Sequence, residues 1–542
     1  MDKLESYKQF GLIWGFLKYH HPKISAGKYS WNEVFLKAID SIDNIQKQSH
    51  LDNYLIHFID TYDKKANYKK STSLNRLDTT NLFTKNVNYK WIDSVFTNEQ
   101  IRKKLRTHLQ TPSKNYYFSS SRFNLIPTFD NEKAVPHFDY KLKKYRVLFF
   151  FSFWNMIAYC NVNKYLTDNT WESQLVPYLK EFILADSEFV YEKAKAKLIA
   201  SLNDSHAYYL SLTLQDTLFQ YKPIINVALI NDTLVVTDIW NKTLAQQDDI
   251  QLGDLILEIE GVDIKSRLNE NVGEIISCSN ESFKKKWARW ILFNDKDSIR
   301  VKVNRGGIVR ESIYHLYDDN NIKGQGYTTL YPKPLAQQQF ITEKIGYINP
   351  YTISKKDLKK VFKKFKKTDG LIIDMRCYPK YISETDFANF LYPDKTNFIK
   401  IIAPVKGKPS YANMIEAPLG KIINPFRAGK RNPNFYKGKV ILLVNHATQS
   451  RAEYISVAIQ ASPNCITIGE PTAGSIMNIA TFTTPDGTTV SFTSLGAFYP
   501  NGEEIQRKGI KIDVLVEEHT SSLAEEEYIQ TAIKLITTSS KP

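Results

Sequence analysis

Residues 438–460, GKVILLVNHATQSRAEYISVAIQ, decide how the chain is read. The first half is an unbroken apolar run at 440–444, the pattern of a strand buried on both faces. From Arg451 onward the apolar residues return at helical spacing, at Ile455, Ala458 and Ile459. Ser450 stands between the two, at the carboxyl end of the strand and the opening of the helix. Open α/β sheets gather ligands at that address, and the unpaired N–H groups of a helix start stabilise a developing anion. Ser450 is therefore a candidate nucleophile, and the Arg451 N–H a candidate oxyanion donor. The same serine, with Glu453 three residues later, also reads as a capping box, and spacing alone leaves both readings open.

Around this stretch, strands and helices alternate. KIGYINPY reads as a strand, the lysine-rich segment 354–367 as a helix, and GLIIDMR and CITIGE as further strands. TFTTPDGTTVSFTS reads as a hairpin turning at Asp486-Gly487. The lysines 355, 356, 359, 360, 363, 364, 366 and 367 surround apolar Leu358, Val361, Phe362 and Phe365, so they read as the solvated face of a core-packed helix. Together these elements predict a parallel or mixed sheet covered on both faces, over residues 343–537.

Upstream, residues 222–318 change to short alternating apolar runs, and 319–342 read as a linker. Residues 1–130 read as helical, with an irregular exposed insertion at 65–130, and 131–221 as a second helical region. Trp14 and Trp31 stand 17 apart, as do Trp154 and Trp171, with Tyr19 and Tyr159 each five residues after the leading tryptophan. That recurrence suggests two related helical hairpins. The expected fold class is multidomain α+β, with a helical N-terminal region, a small β domain and a C-terminal α/β core.

AQQDDIQLGDLILEIEGVDI resembles a PDZ module, which receives an extended peptide by strand addition. The resemblance implies peptide binding at Leu252, Gly253 and Asp254. Ser-x-x-Glu opening a helix, followed by GEPTAG, resembles the nucleophile region of tail-specific (C-terminal-processing) serine peptidases, whose core is ClpP/crotonase-like. GLIIDMR resembles that family's strand ending in Asp-x-Arg, LNDSHAYY its Leu-x-Asp-x-His segment, and NGEEIQRKGIKIDVLV its closing strand. Order and spacing fit from about 140 to 537.

The resemblance implies a serine endopeptidase acting on peptide or protein substrates, with Ser450 attacking the carbonyl. Many relatives use a lysine base about 25 residues after the serine. Ser475 holds that position here, and no lysine occurs between Arg451 and Arg507. The tricorn-core branch uses serine and histidine instead, which implies His206 as base, Ser205 orienting its ring, and Gln506 or Glu504 at the acidic position. The second oxyanion donor falls at Cys377 or Tyr378. His446, close to Ser450 in sequence, is the alternative base. The competing expectation is a peptide- or lipid-binding protein on the same scaffold, because an amide at Gln506 cannot stabilise an imidazolium as a carboxylate does.

Composition excludes other classes. With 42% hydrophobic and 24% charged residues, 22 Gly and 21 Pro, the 542-residue chain is neither disordered nor fibrous. Its net charge is +15, yet no zinc-finger spacing or RNA-binding aromatic motif accompanies it, so a nucleic-acid partner is not expected. The apolar run 147–160 is shorter than the roughly 18 to 20 residues a membrane span needs and predicts a buried helix. Cys160, Cys278, Cys377 and Cys465 lie far apart, which argues against a zinc site or a dense disulfide framework. No P-loop, dinucleotide fingerprint or His-Glu-x-x-His spacing occurs, so neither cofactor nor metal is expected. Met1 to Glu5 carry no basic segment leading into an apolar one, so no export signal is visible, although the resemblance implies an envelope or exported location.

Overall fold

The computed structural model describes residues 2–64, 82–110, 116–120, 125–321, 336–415, 426–516 and 525–538. A six-stranded sheet forms the C-terminal core, in the order Gln338–Thr342, Ile345–Ile348, Gly370–Asp374, Lys439–Val444, Cys465–Gly469, Val514–Leu515. Its first pair is antiparallel and the rest are parallel. The Lys355–Lys364, Glu384–Leu391 and Arg451–Gln460 helices bury Leu358, Phe387 and Ile455 against one face. The Glu525–Thr538 helix packs Tyr528 and Ile536 on the other. A sheet buried on both sides explains why its strands read as continuous apolar runs. The Gln338–Thr342 strand lies inside the segment expected to be a linker. Its alternating half-buried positions belong to an edge strand, whose polar face hides it from an apolar-run reading.

Residues 225–315 build a second sheet, all antiparallel, in the order Ile225–Ile230, Thr233–Ile239, Leu255–Ile259, Ser298–Arg305, Ile308–His315, closed by the helical segment Lys285–Leu292. Its turn at Leu252-Gly253-Asp254 is a structural device. Gly253 takes φ +85°, and the buried Asp254 carboxylate receives Arg305 Nε and Nη2 at 2.6 and 2.7 Å. With its carboxylate committed to Arg305, Asp254 is not a group turned toward a peptide, while Leu252 is exposed.

The N-terminal region contains a duplicated helix pair. Lys3–His20 and Lys143–Cys160 are both 18 residues long and pack against each other. Trp14 and Trp31 stack with ring centroids 6.2 Å apart, and each indole N–H donates to the other's carbonyl at 3.1 Å. Trp154 and Trp171 repeat the exchange at 3.4 and 3.0 Å. At equivalent positions the two long helices carry small against large residues. A Cβ on Gly11 would lie 2.2 Å from the Phe151 ring, and one on Gly15 1.9 Å from Asn155, so the glycines are what lets the helices approach.

The expected irregular insertion is partly regular. Trp91–Val95 and Glu99–Gln110 are helices, the second burying Ile101, Leu105 and His108. Its dense charge on the remaining positions masks that stripe in the sequence; residues 65–81 lie outside those described. Among the described residues no helix is long and apolar enough to cross a membrane.

Candidate active site

Ser450 follows the Lys439–Val444 strand through a tight turn and takes φ +59°, ψ −119° at the opening of the Arg451–Gln460 helix. A non-glycine residue at positive φ is strained, and such strain persists only where surrounding contacts enforce it. Two contacts do so. The Ser450 N–H donates to the Ser475 carbonyl at 3.1 Å and to Glu453 Oε2 at 3.2 Å.

Glu453 ties the turn to the loop after the next strand. Its fully buried carboxylate also accepts from the Thr472 hydroxyl at 2.6 Å, the Gly474 N–H at 2.8 Å and the Ser475 N–H at 3.0 Å. Burial nevertheless dominates and pushes this carboxyl up to about 7. The capping box anticipated in the sequence is therefore present, and it serves as the brace of the strained serine rather than as an alternative to it.

His206 comes from a loop some 240 positions earlier. Its Nδ1 lies 2.9 Å from the Thr493 hydroxyl, and that hydroxyl lies 2.7 Å from Asp204 Oδ1. Thr493 has one proton to give. With the carboxylate as acceptor, the hydroxyl donates to Asp204 and accepts from Nδ1–H, which leaves Nε2 as the unprotonated nitrogen. Burial lowers the imidazole below its ordinary value; Asp204 opposes that shift and the Lys286 charge adds to it. The Gln449 side chain spans the two segments. Its Nε2 donates to the Ser205 carbonyl at 3.0 Å and to Ser475 Oγ at 3.2 Å, so the residue before Ser450 is bonded to the residue before His206. Among the described residues no hydrogen bond joins the Ser450 hydroxyl to the His206 ring.

The other expected participants lie elsewhere. The Ser205 hydroxyl does not touch the ring; it is 3.0 Å from both Ser279 Oγ and the Ala473 carbonyl. Thr493, contributed by the Ile479–Thr483/Thr489–Thr493 hairpin, takes the orienting position instead, and sequence reading missed it because nothing local marks one hairpin threonine among several. Glu504 pairs with Lys85 at 3.1 Å, while Gln506 is buried and accepts the Ile476 N–H at 3.3 Å. His446 faces Glu470 at 3.4 Å, which also pairs with Lys285.

A cavity of about 440 Å³ opens beside Ser450, lined by Leu125, Tyr378, Ile401, Tyr454, Met477 and Leu495 among others. Tyr378 thus borders the serine. Cys377 is buried behind it, where desolvation raises its thiol. The loop bearing both is anchored by Asp374, whose carboxylate receives Arg376 Nε and Nη2 at 3.0 and 2.9 Å and the Tyr347 hydroxyl at 2.8 Å. The Asp-x-Arg motif is this anchor. Among the described residues no cluster of three or more potential metal ligands occurs.

Residues 344–516 match peptidase family S41. Over 276 residues the chain is 27% identical to the carboxy-terminal processing protease CtpA of Bacillus subtilis (strain 168), covering 50% of this chain and 51% of that protein, so the match spans about half the relative's length. Mature CPAF resembles the fold with a TM-score of 0.54, both alone and complexed with lactacystin, at 12% and 13% identity over 72% of this chain and 97% of the other. Residues 344–516 are thus similar to peptidase family S41, and half of the chain is similar to a carboxy-terminal processing protease.

Proposed function

We propose that the chain is a serine endopeptidase that cleaves peptide or protein substrates through an acyl-enzyme formed on Ser450, with His206 as the general base. The observation that carries this reading is the Asp204–Thr493–His206 chain, which leaves Nε2 free to take a proton on the side of the molecule where Gln449 ties the two segments together. A serine hydroxyl is a weak nucleophile at neutral pH, and a neutral imidazole within reach supplies the activation it needs. His206 takes the hydroxyl proton as Ser450 attacks the substrate carbonyl, then returns it to the leaving amine. Water repeats the sequence to release the acyl group.

The Arg451 N–H, first in its helix and without an intrahelical acceptor, faces the developing oxyanion; the 377–378 backbone supplies the second donor. The 225–315 sheet acts as a PDZ-like module that holds a substrate tail as an added strand, which gives cleavage its preference for C-terminal segments. The apo distance between hydroxyl and imidazole closes when substrate fills the cavity, as catalytic hydrogen bonds commonly tighten only in the complex.

Ser450→Ala tests the reading. It is expected to abolish hydrolysis of a denatured protein substrate and labelling by a fluorophosphonate while leaving the thermal transition in place; His206→Ala is expected to slow labelling at least 100-fold. Undiminished hydrolysis by the Ser450→Ala protein would remove Ser450 from the mechanism. Peptide binding without labelling of the wild type would instead favour the binding-protein reading.

A further inference from the structure

Lys286 belongs to the 225–315 module, outside the region matched by the peptidase family, yet its ammonium reaches the site. Nζ lies 3.4 Å from Gln449 Oε1, and Gln449 precedes Ser450. Since the lysine only donates, it sets the orientation of that amide, turning Nε2 toward Ser475 and the Ser205 carbonyl. Neighbouring contacts lock the lysine's segment to the same loops. The Ser205 N–H donates to Ser279 Oγ at 2.8 Å, Asn280 Nδ2 donates to the Thr472 carbonyl at 2.8 Å, and the Ser282 hydroxyl donates to the Pro471 carbonyl at 2.7 Å.

Lys285 pairs with Glu470, whereas Lys286 has no carboxylate partner among the described residues. Its Nζ lies 4.9 and 5.6 Å from the Phe283 and Trp287 ring centroids, a setting that holds a cation without neutralising it.

We propose that Lys286 is a positioning residue for the Ser450–His206 pair: it fixes the Gln449 amide beside the nucleophile and brings a positive charge without a carboxylate partner to the segment that carries His206. The inference rests on the proposed function. Among the described residues, the charges that act on the His206 imidazole are those of Asp204, on its own loop, and Lys286, on the module; Thr493, from the hairpin, is an uncharged partner. Asp204 favours the imidazolium and Lys286 opposes it. Desolvation draws the Lys286 ammonium itself below its ordinary value.

The full chain is compared as wild type, Lys286→Met and Lys286→Arg by the rate of fluorophosphonate labelling across pH 5 to 9. Removing a like charge raises the pKa of the imidazole. The acid limb of the Lys286→Met protein should therefore move up by about 0.5 to 1 pH unit, slowing labelling by up to about three- to ten-fold at the acid end of the range, with Lys286→Arg restoring the wild-type limb. A Lys286→Met profile that superposes on wild type, or is depressed equally at every pH, overturns the inference while leaving the Ser450–His206 reading standing. Failure of the wild type to label overturns both.

Discussion

Thr493 is the residue on which the geometry of the His206 ring turns. Replacing it by valine removes the hydroxyl that links Asp204 to His206, leaving a buried carboxylate short of a donor and the imidazole free to rotate. Labelling of Ser450 should fall about 10- to 100-fold, and Thr493→Ser should restore most of it. Glu453 sets a pH dependence of stability. Its folded pKa of about 7 lies above its unfolded value of about 4.3, so the folded state binds its proton more tightly. That contribution is fully present below about pH 4 and is lost as pH rises through 7, an effect on the order of 3 kcal/mol. Urea unfolding at pH 5 and pH 8 should show the decline in the wild type. Glu453→Gln should flatten this slope while lowering stability at both values, because an amide offers one acceptor oxygen to four donors. Neither role is visible in the motif, where Glu453 reads only as a capping residue.

At the scale of elements, the loop at 470–475 couples the strand before it to the strained turn at Ser450. Gly474 takes φ +67°, and a Cβ there would lie 2.4 Å from the Arg507 carbonyl oxygen. Gly474→Ala should cost roughly 2 kcal/mol and reduce labelling together with stability, as read from thermal melts and labelling rates on the same sample. The strand–turn–helix unit was legible because continuous apolar runs and helical spacing are local signals. The edge strand Gln338–Thr342 and the helix Glu99–Gln110 were not, because each shows the sequence mainly its solvated residues.

Across the whole molecule, the Ile479–Thr493 hairpin and the helical N-terminal region share one core. Phe482 and Phe492 of the hairpin pack against Phe129, and Phe482 also against Phe153 of the duplicated helix, with ring centroids 5.8 to 6.0 Å apart. The hairpin that supplies Thr493 is thus held by residues outside the family-matched segment. A fragment confined to 336–538 retains Ser450 but lacks His206 and exposes this aromatic face. It should bind a hydrophobic dye and resist fluorophosphonate labelling, where the full chain labels.

The local sequence was sufficient for the alternation of strands and helices, the address of Ser450 and the paired tryptophans, because each depends on spacing within a few turns of chain. Which groups face the imidazole was decided only by folding. Asp204 and Thr493 meet the ring from a loop and a hairpin, and Lys286 reaches Gln449 from a separate module; their convergence comes from long-range packing that leaves no periodic trace in the residues themselves.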